Sequence, residues 1–232
     1  MAFLIFLCLM APAALLTQNV QIPNLHLENA TGSVWQGRAD ALVQNKPIGA
    51  VHWRVDVFEL LRSTLVVDFS MQGDGLELNG ALAVDPNERN LTLAGLIDSQ
   101  VINLFTLAYD IRMSETIHLN SVKIAVTKEQ KLTQAQGSMT WQGGPVHFIL
   151  MNEMHNVKVA PTRGVVSKNE DSLILTVLQQ TKDDPVLEFR LELTSGWLNV
   201  RAFQPFIEYA GLPTNYVRRS PDFLFEVSQK IF

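Results

Sequence analysis

The sequence predicts a mainly β protein: an N-terminal membrane helix followed by a curved antiparallel β-sheet domain with few short helices. Three observations carry this. Apolar and polar residues alternate with a period of two through most of the chain after residue 30, where a helical period is hard to find. Turn dipeptides punctuate those runs at hairpin spacing. All 18 Lys/Arg and all 23 Asp/Glu stand at or after Glu28, so the chain starts with an uncharged apolar segment.

Taken in order, residues 1–16 form the unbroken apolar run MAFLIFLCLMAPAALL. A spanning helix wants about 20 such residues, with a lower limit near 17. An uncleaved anchor over residues 1–20 is the favoured reading, with Phe3, Leu4, Ile5, Phe6 and Leu7 in its apolar core. Pro12 falls near its end, where a bilayer interface tolerates proline better than a helix centre does. A cleaved signal is a second reading, with small residues at Ala11 and Ala13 but no basic n-region. A buried core helix is a third and fits poorly, because a soluble helix keeps one polar face. The first two readings place residues 21–232 across the membrane as a β-rich domain, in the periplasm if the organism is a diderm bacterium.

The strands follow. Val51, Trp53, Val55 and Val57 alternate with His52, Arg54 and Asp56, and Leu65, Val67, Phe69 and Met71 with more polar neighbours. Leu76, Leu78, Leu82 and Val84 share one side of the next run, and Leu187, Phe189, Leu191 and Leu193 one side of a later one. One dry and one wet face is the pattern of antiparallel sheet, since parallel strands are usually covered on both sides. Asp74-Gly75 reads as a tight hairpin turn. Asn79-Gly80 is an equally good turn dipeptide, but using it would leave a strand of three or four residues, so it is placed inside a strand. Further turns are signalled at Asp85-Pro86-Asn87, Lys168-Asn169-Glu170, Asp183-Asp184-Pro185 and Ser195-Gly196. The apolar phase changes face between Leu119 and Val122, which calls for a β-bulge near Asn120-Ser121. Short helices are expected at residues 58–62, at 99–108 with Asp98 as N-cap, and at 204–210 before Gly211.

One segment echoes another: Gly32-Ser33-Val34-Trp35-Gln36-Gly37 resembles Gly137-Ser138-Met139-Thr140-Trp141-Gln142-Gly143 with one residue inserted. Two duplicated β-lobes, or one long sheet built from two duplicated halves, over 29–97 and 114–203, would account for it; chance recurrence of short Gly/Trp strands is the alternative. Glycine at 32, 37, 137 and 143 permits a bulge, a turn or close backbone approach. Trp35 and Trp141 each bring a large apolar body and one N–H that needs a partner, so core packing at a sheet corner or edge outweighs ligand binding.

The composition excludes much. A net charge of −5 without a long Lys/Arg block argues against nucleic acid. Cys8 alone allows no internal disulfide, cysteine zinc site or redox pair. The five histidines show no metal spacing, and His52 and His147 read as solvent-facing strand residues. Phosphate-loop, nucleophile-elbow and dinucleotide patterns are absent. No catalytic constellation can be assembled, so no enzyme activity, metal or cofactor is expected.

The apolar stretch ending in Leu9-Met10-Ala11-Pro12-Ala13, then the block from Ala30 through Gly32, Trp35 and Gly37 to Ala39, then Val51-His52-Trp53-Arg54-Val55, resembles the type II secretion system protein N family. That family carries an inner-membrane segment ending near Pro-Ala, a Gly-Thr/Ser-x-Trp-x-Gly motif, and a Trp-bearing strand followed by a Leu-Leu turn, matched here by Trp53 and Leu60-Leu61. Residues 135–144, with Gly137, Trp141 and Gly143, match a later block. The resemblance implies a single-pass inner-membrane protein with a periplasmic β-domain, a non-enzymatic accessory of type II secretion that supports export of folded proteins across the outer membrane. Its partners would be other inner-membrane or periplasmic subunits. The alternative is a periplasmic lipid-handling or envelope-biogenesis protein with an apolar β-groove. It is motivated by Leu173, Ile174, Leu175, Val177 and Leu178, apolar on both faces; a buried central strand is the blander explanation of that run.

Overall fold

The computed structural model describes residues 11–14, 25–106, 110–150, 153–209 and 224–231. Period-two alternation becomes strand wherever it was expected. The first strands, β1 (Leu25–Gly32), β2 (Gln36–Val43) and β3 (Lys46–Asp56), lead into the one-turn helix α1 (Val57–Leu60). The meander continues with β4 (Leu65–Gly73), β5 (Leu76–Val84) and β6 (Glu88–Ile97), then the helix α2 (Ser99–Thr106) and the short β7 (Arg112–Met113). Next come β8 (Ile117–Thr127), β9 (Leu132–Trp141), the hairpin β10 (Gly144–Leu150) and β11 (Glu153–Val159), and β12 (Thr162–Asn169). The chain closes with β13 (Ser172–Gln179), β14 (Pro185–Glu192), β15 (Trp197–Ala202), the short helix α3 (Pro205–Tyr209) and β16 (Phe225–Lys230).

Thirteen of these strands make one antiparallel sheet in the order β1-β2-β3-β4-β5-β6-β8-β9-β12-β13-β14-β15-β16. The order follows the chain except where β7, β10 and β11 leave it to form a separate three-stranded sheet, β11-β10-β7. Among the described residues β1 and β16 are the two edges, and they do not pair with each other, so the sheet is open rather than closed on itself. Among the described residues no helix is long and apolar enough to cross a membrane. The apolar core expected for an anchor, Phe3 to Leu7, lies outside the described residues.

Asp74-Gly75 makes the β4–β5 turn, and Asn79-Gly80 lies inside β5. Asp98 caps α2, its carboxylate accepting from Gln100 N at 2.9 Å and its carbonyl from Ile102 N at 3.2 Å. The bulge is where the phase slip required it: pairing jumps between Asn120 and Lys123, and Ser121 takes φ 55°. His52 and His147 are exposed. Leu173 to Leu178 lie in β13, an interior strand between β12 and β14. Ile174 is buried there, while Leu173, Leu175 and Val177 are half-buried.

The connections divide by end. At one end lie the β1–β2 turn, α1 and short turns such as residues 85–87, 128–131 and 193–196. At the other end lie α2, the small sheet and α3. Asn103 ties α2 to β7 by accepting from Met113 N and donating to its carbonyl, both at 2.9 Å.

Candidate interaction surface

Cross-strand partners share a face of a sheet, so the pairing registers define what each face carries. One row runs Gly32, Gly37, Trp53, Phe69, Gly80, Leu93 and Val122 from β1 to β8. It resumes at Gly137 and continues Val166, Leu175, Phe189, Val200 and Val227 to β16. One residue from each of thirteen strands contributes, and none is polar. The neighbouring row on this face, which includes Ala39, Val51, Met71, Leu78, Leu119, Met139, Val177 and Leu187, is equally apolar.

The opposite face carries most of the polar residues, with apolar exceptions such as Val165 and Ile174. Arg38, His52, Ser70 and Asn79 stand in one row, and Thr176, Glu188, Arg201 and Glu226 in another. Arg201 Nε reaches Glu226 Oε1 at 2.9 Å, and its guanidinium lies 3.7 Å from Glu188. Two open hollows of about 410 and 420 Å³ lie on this face, one beside Arg38, Asp40 and Gln72, the other beside His52, Arg54 and Asp68. Among the described residues no group of three or more His, Cys, Asp or Glu could hold a metal ion.

The apolar face is covered only in places. Val101 and Leu104 of α2 pack with Ala41, Val43, Ile48, Leu76 and Ile97 at one end. At the other end Ala13, 1% exposed, packs with Ala39 and Trp53. Between these clusters and β16, Leu82, Leu91, Leu93, Ile124, Leu175, Phe189 and Val200 are only half-buried.

The residues singled out from sequence do different jobs. Gly32 ends β1 at φ +91° in the turn that holds Trp35, a conformation open to glycine at little cost. Trp35 is half-buried in that turn; its carbonyl accepts from Val55 N at 2.7 Å, joining turn to β3. Gly37 lies opposite Trp53, and the indole occupies the space a Cβ would need. Trp53 is 8% exposed and donates Nε1–H to Ser33 O at 3.3 Å. Gly137, at φ +150°, lies in β9 opposite the β8 bulge, where a Cβ would lie 2.6 Å from Val122 Cα. Trp141 ends β9, 9% exposed, and donates to Ser114 O at 2.8 Å, so it holds the segment entering the small sheet. Gly143 is buried where β9 gives way to β10, against the backbone of Ala160. The two echoed motifs therefore occupy unlike places, one a turn and the other the interior and end of a strand.

Pro12 departs from the expected anchor. It forms a bridge with Ser33, flanked by Ala13 N donating to Gly32 O at 3.2 Å and Val34 N donating to Ala11 O at 2.9 Å. Residues 11–13 thus run along the β1–β2 turn, with small Ala13 packed beside Trp53.

A family model described as type II secretion system (T2SS), protein N matches residues 23–210, from just before β1 to the end of α3. The chain belongs to the type II secretion system protein N family. No curated protein and no solved structure gives a match. The membership makes the chain a type II secretion component. The matched span of this family member contains all seven Gly and Trp residues singled out above, and stops before β16. The Leu-Leu turn by which the sequence resembles the family is the exposed end of α1.

The sequence singled out Trp35, Gly37 and Trp53 but did not pair Trp53 with Gly37. The importance of Trp53 comes from the β2–β3 register, which lays its ring on Gly37. The glycine and tryptophan were both readable; their pairing across strands was not.

Proposed function

We propose that the chain is a non-enzymatic accessory of the type II secretion system, tethered in the inner membrane by its N-terminal segment, with the β-sheet domain in the periplasm. There it supports export of folded proteins across the outer membrane. The family match over residues 23–210 carries this reading, because it spans twelve of the thirteen strands of the main sheet and so concerns most of the domain. The uncharged apolar run at the start supports the tether, and the two open sheet edges offer other subunits a place to add a strand. The test is deletion of the gene followed by assay of type II substrates in medium and periplasm. Substrates should be retained in the periplasm and be released again when the full chain is restored. Normal export overturns the reading.

A second reading, lipid handling in the envelope, has one observation in its favour. The apolar face crosses every strand of the main sheet and is half-exposed through its middle. Native mass spectrometry of the purified chain should then detect bound phospholipid, and its loss on substituting Leu93 or Phe189 by a charged residue. Normal export together with an altered envelope lipid composition in the deletion strain would favour this reading over the first.

A further inference from the structure

Thirteen large apolar side chains are exposed among the described residues, and five of them fall in residues 57–65: Val57, Phe58, Leu60, Leu61 and Leu65. Phe58 is 76% and Leu61 85% exposed, so neither contributes to the core. The backbone beneath them is nevertheless well fixed. Asp56 caps α1 by accepting from Phe58 N at 2.9 Å, and Leu61 N, Arg62 N and Ser63 N each donate to a carbonyl within the turn. Glu59 and Arg62, the two charges within residues 57–65, pair with each other at 2.8 Å. A rigid turn that holds bare Phe and Leu outward is built to contact something apolar.

Its position says what. Ala11 O accepts from Val34 N at 2.9 Å, Trp35 O accepts from Val55 N at 2.7 Å, and α1 begins two residues after Val55. Two strand spacings therefore separate Ala11 from the base of α1, about 10 Å. The ten residues before Ala11 are MAFLIFLCLM, without a charge. The apolar N-terminal run thus joins the domain beside the exposed apolar turn. The exposed Phe105, Ile111 and Met154 belong to α2, β7 and β11 and their surroundings, at the opposite end.

We propose that the α1 turn, led by Phe58 and Leu61, is a second membrane contact that dips into the lipid interface and sets the angle of the sheet on the bilayer. The inference rests on the reading that the N-terminal segment is the tether. The interface between water and hydrocarbon is about 5–7 Å deep on each side, and interfacial apolar faces sink roughly 5–10 Å into that boundary. A turn about 10 Å from the point of entry reaches it. With the turn and the N-terminal segment both engaged, the end carrying α2, the small sheet and α3 points away from the membrane.

The experiment uses the full chain with Cys8→Ala and Leu61→Cys, the new thiol carrying an environment-sensitive fluorophore. The protein is reconstituted into phosphatidylethanolamine/phosphatidylglycerol vesicles with and without brominated acyl chains. Leu61 is mostly solvent-exposed, so the substitution leaves the fold intact. Emission from position 61 should shift to shorter wavelength and be quenched by bromine. A probe at Asp74→Cys, in the β4–β5 turn at the far end, should do neither. Protein that floats with the vesicles while the position-61 probe stays unshifted and unquenched overturns the membrane contact, leaves the tether standing, and assigns the turn to a protein partner. Protein that does not float overturns the tether and the contact together.

Discussion

The sharpest test of the β2–β3 register is a double-mutant cycle on Gly37 and Trp53. An alanine Cβ at position 37 would lie 2.9 Å from Trp53 Cε2 and 2.7 Å from Thr31 O, both tighter than ordinary contact. The ring cannot simply swing aside, because it is 8% exposed, packs on Ala13 and Ala39, and is held by its hydrogen bond to Ser33 O. Gly37→Ala should therefore destabilise the protein by about 1–3 kcal/mol, the usual cost of overpacking. At roughly 2–4 °C per kcal/mol for a domain of this size, Tm falls by about 2–12 °C. Trp53→Ala, which empties the site and orphans the Ser33 carbonyl, should cost about 3–5 kcal/mol. Trp53→Leu removes the part of the ring that meets the new methyl, so Gly37→Ala becomes cheaper in that background, by a coupling of about 0.5–3 kcal/mol. A residue of the cost remains, because the contact with Thr31 O is untouched. Guanidinium unfolding of the full chain in detergent, followed by far-UV circular dichroism, measures each corner of the cycle. Additivity within about 0.5 kcal/mol would mean that the indole does not lie on Gly37, and the register would be wrong.

Other positions give independent readouts. Trp141→Phe keeps the ring but leaves Ser114 O without its donor, at a cost of about 1–3 kcal/mol, and hydrogen exchange should accelerate first in residues 112–116. Asp98→Ala removes the α2 cap and should cost about 0.5–2 kcal/mol, whereas Asp98→Asn keeps an acceptor and should cost little; thermal unfolding separates them. Gly137→Val puts a branched side chain at φ +150° against Val122 Cα, and should lower stability by more than Gly137→Ala in the same denaturant assay.

Most strands were legible because alternation is a local property. Where it slipped, at Leu119 and Val122, the slip itself located a bulge. The placing of Asn79-Gly80 inside a strand needed only a count of residues between turns. Sheet membership is not local in this way. In β10 and β11, Val146 and Phe148, like Met154, sit in strands that alternate much as their neighbours do, yet these strands pair with each other and with β7. What decides this is that β9 pairs β12, across a gap of twenty residues, and no pattern within either strand specifies that contact. The echo of Gly32–Gly37 in Gly137–Gly143 failed as a guide to local structure for a related reason. The same residue types serve a turn in one copy and, in the other, a strand that faces its neighbour's bulge, because a glycine permits both. The exposed face of α1 was hidden too: a sequence shows that Phe58 and Leu61 are apolar, but not that both stand exposed.

The continuity of the apolar face depends on its irregularities more than on its regular pairing. Side chains alternate strictly along a strand, so one inserted residue sends everything beyond it to the other face. In β8 the insertion at Asn120-Ser121 is what returns Val122, Ile124 and Val126 to the face already occupied by Ile117 and Leu119. The neighbouring strands bend to match it. Gly95 in β6, at φ +143°, faces Leu119, and Gly137 in β9, at φ +150°, lies against Ser121 and Val122. Three adjacent strands thus carry their distortions side by side, in the middle of the sheet. A bulge increases local twist, so a line of them turns the second half of the sheet relative to the first without breaking the apolar rows. Deleting Ser121 removes the insertion and leaves one unbroken alternation, with Leu119, Val122 and Ile124 on the dry face and Lys123 on the wet one, so what it takes away is the local twist to which Gly95 and Gly137 are fitted. The observable is cooperative loss of the β9 and β12 pairings in hydrogen exchange, with the β1 to β5 meander still protected. Uniform weakening of every strand would show instead that the two halves fold as one unit and that the bulge line is not a hinge in the sheet.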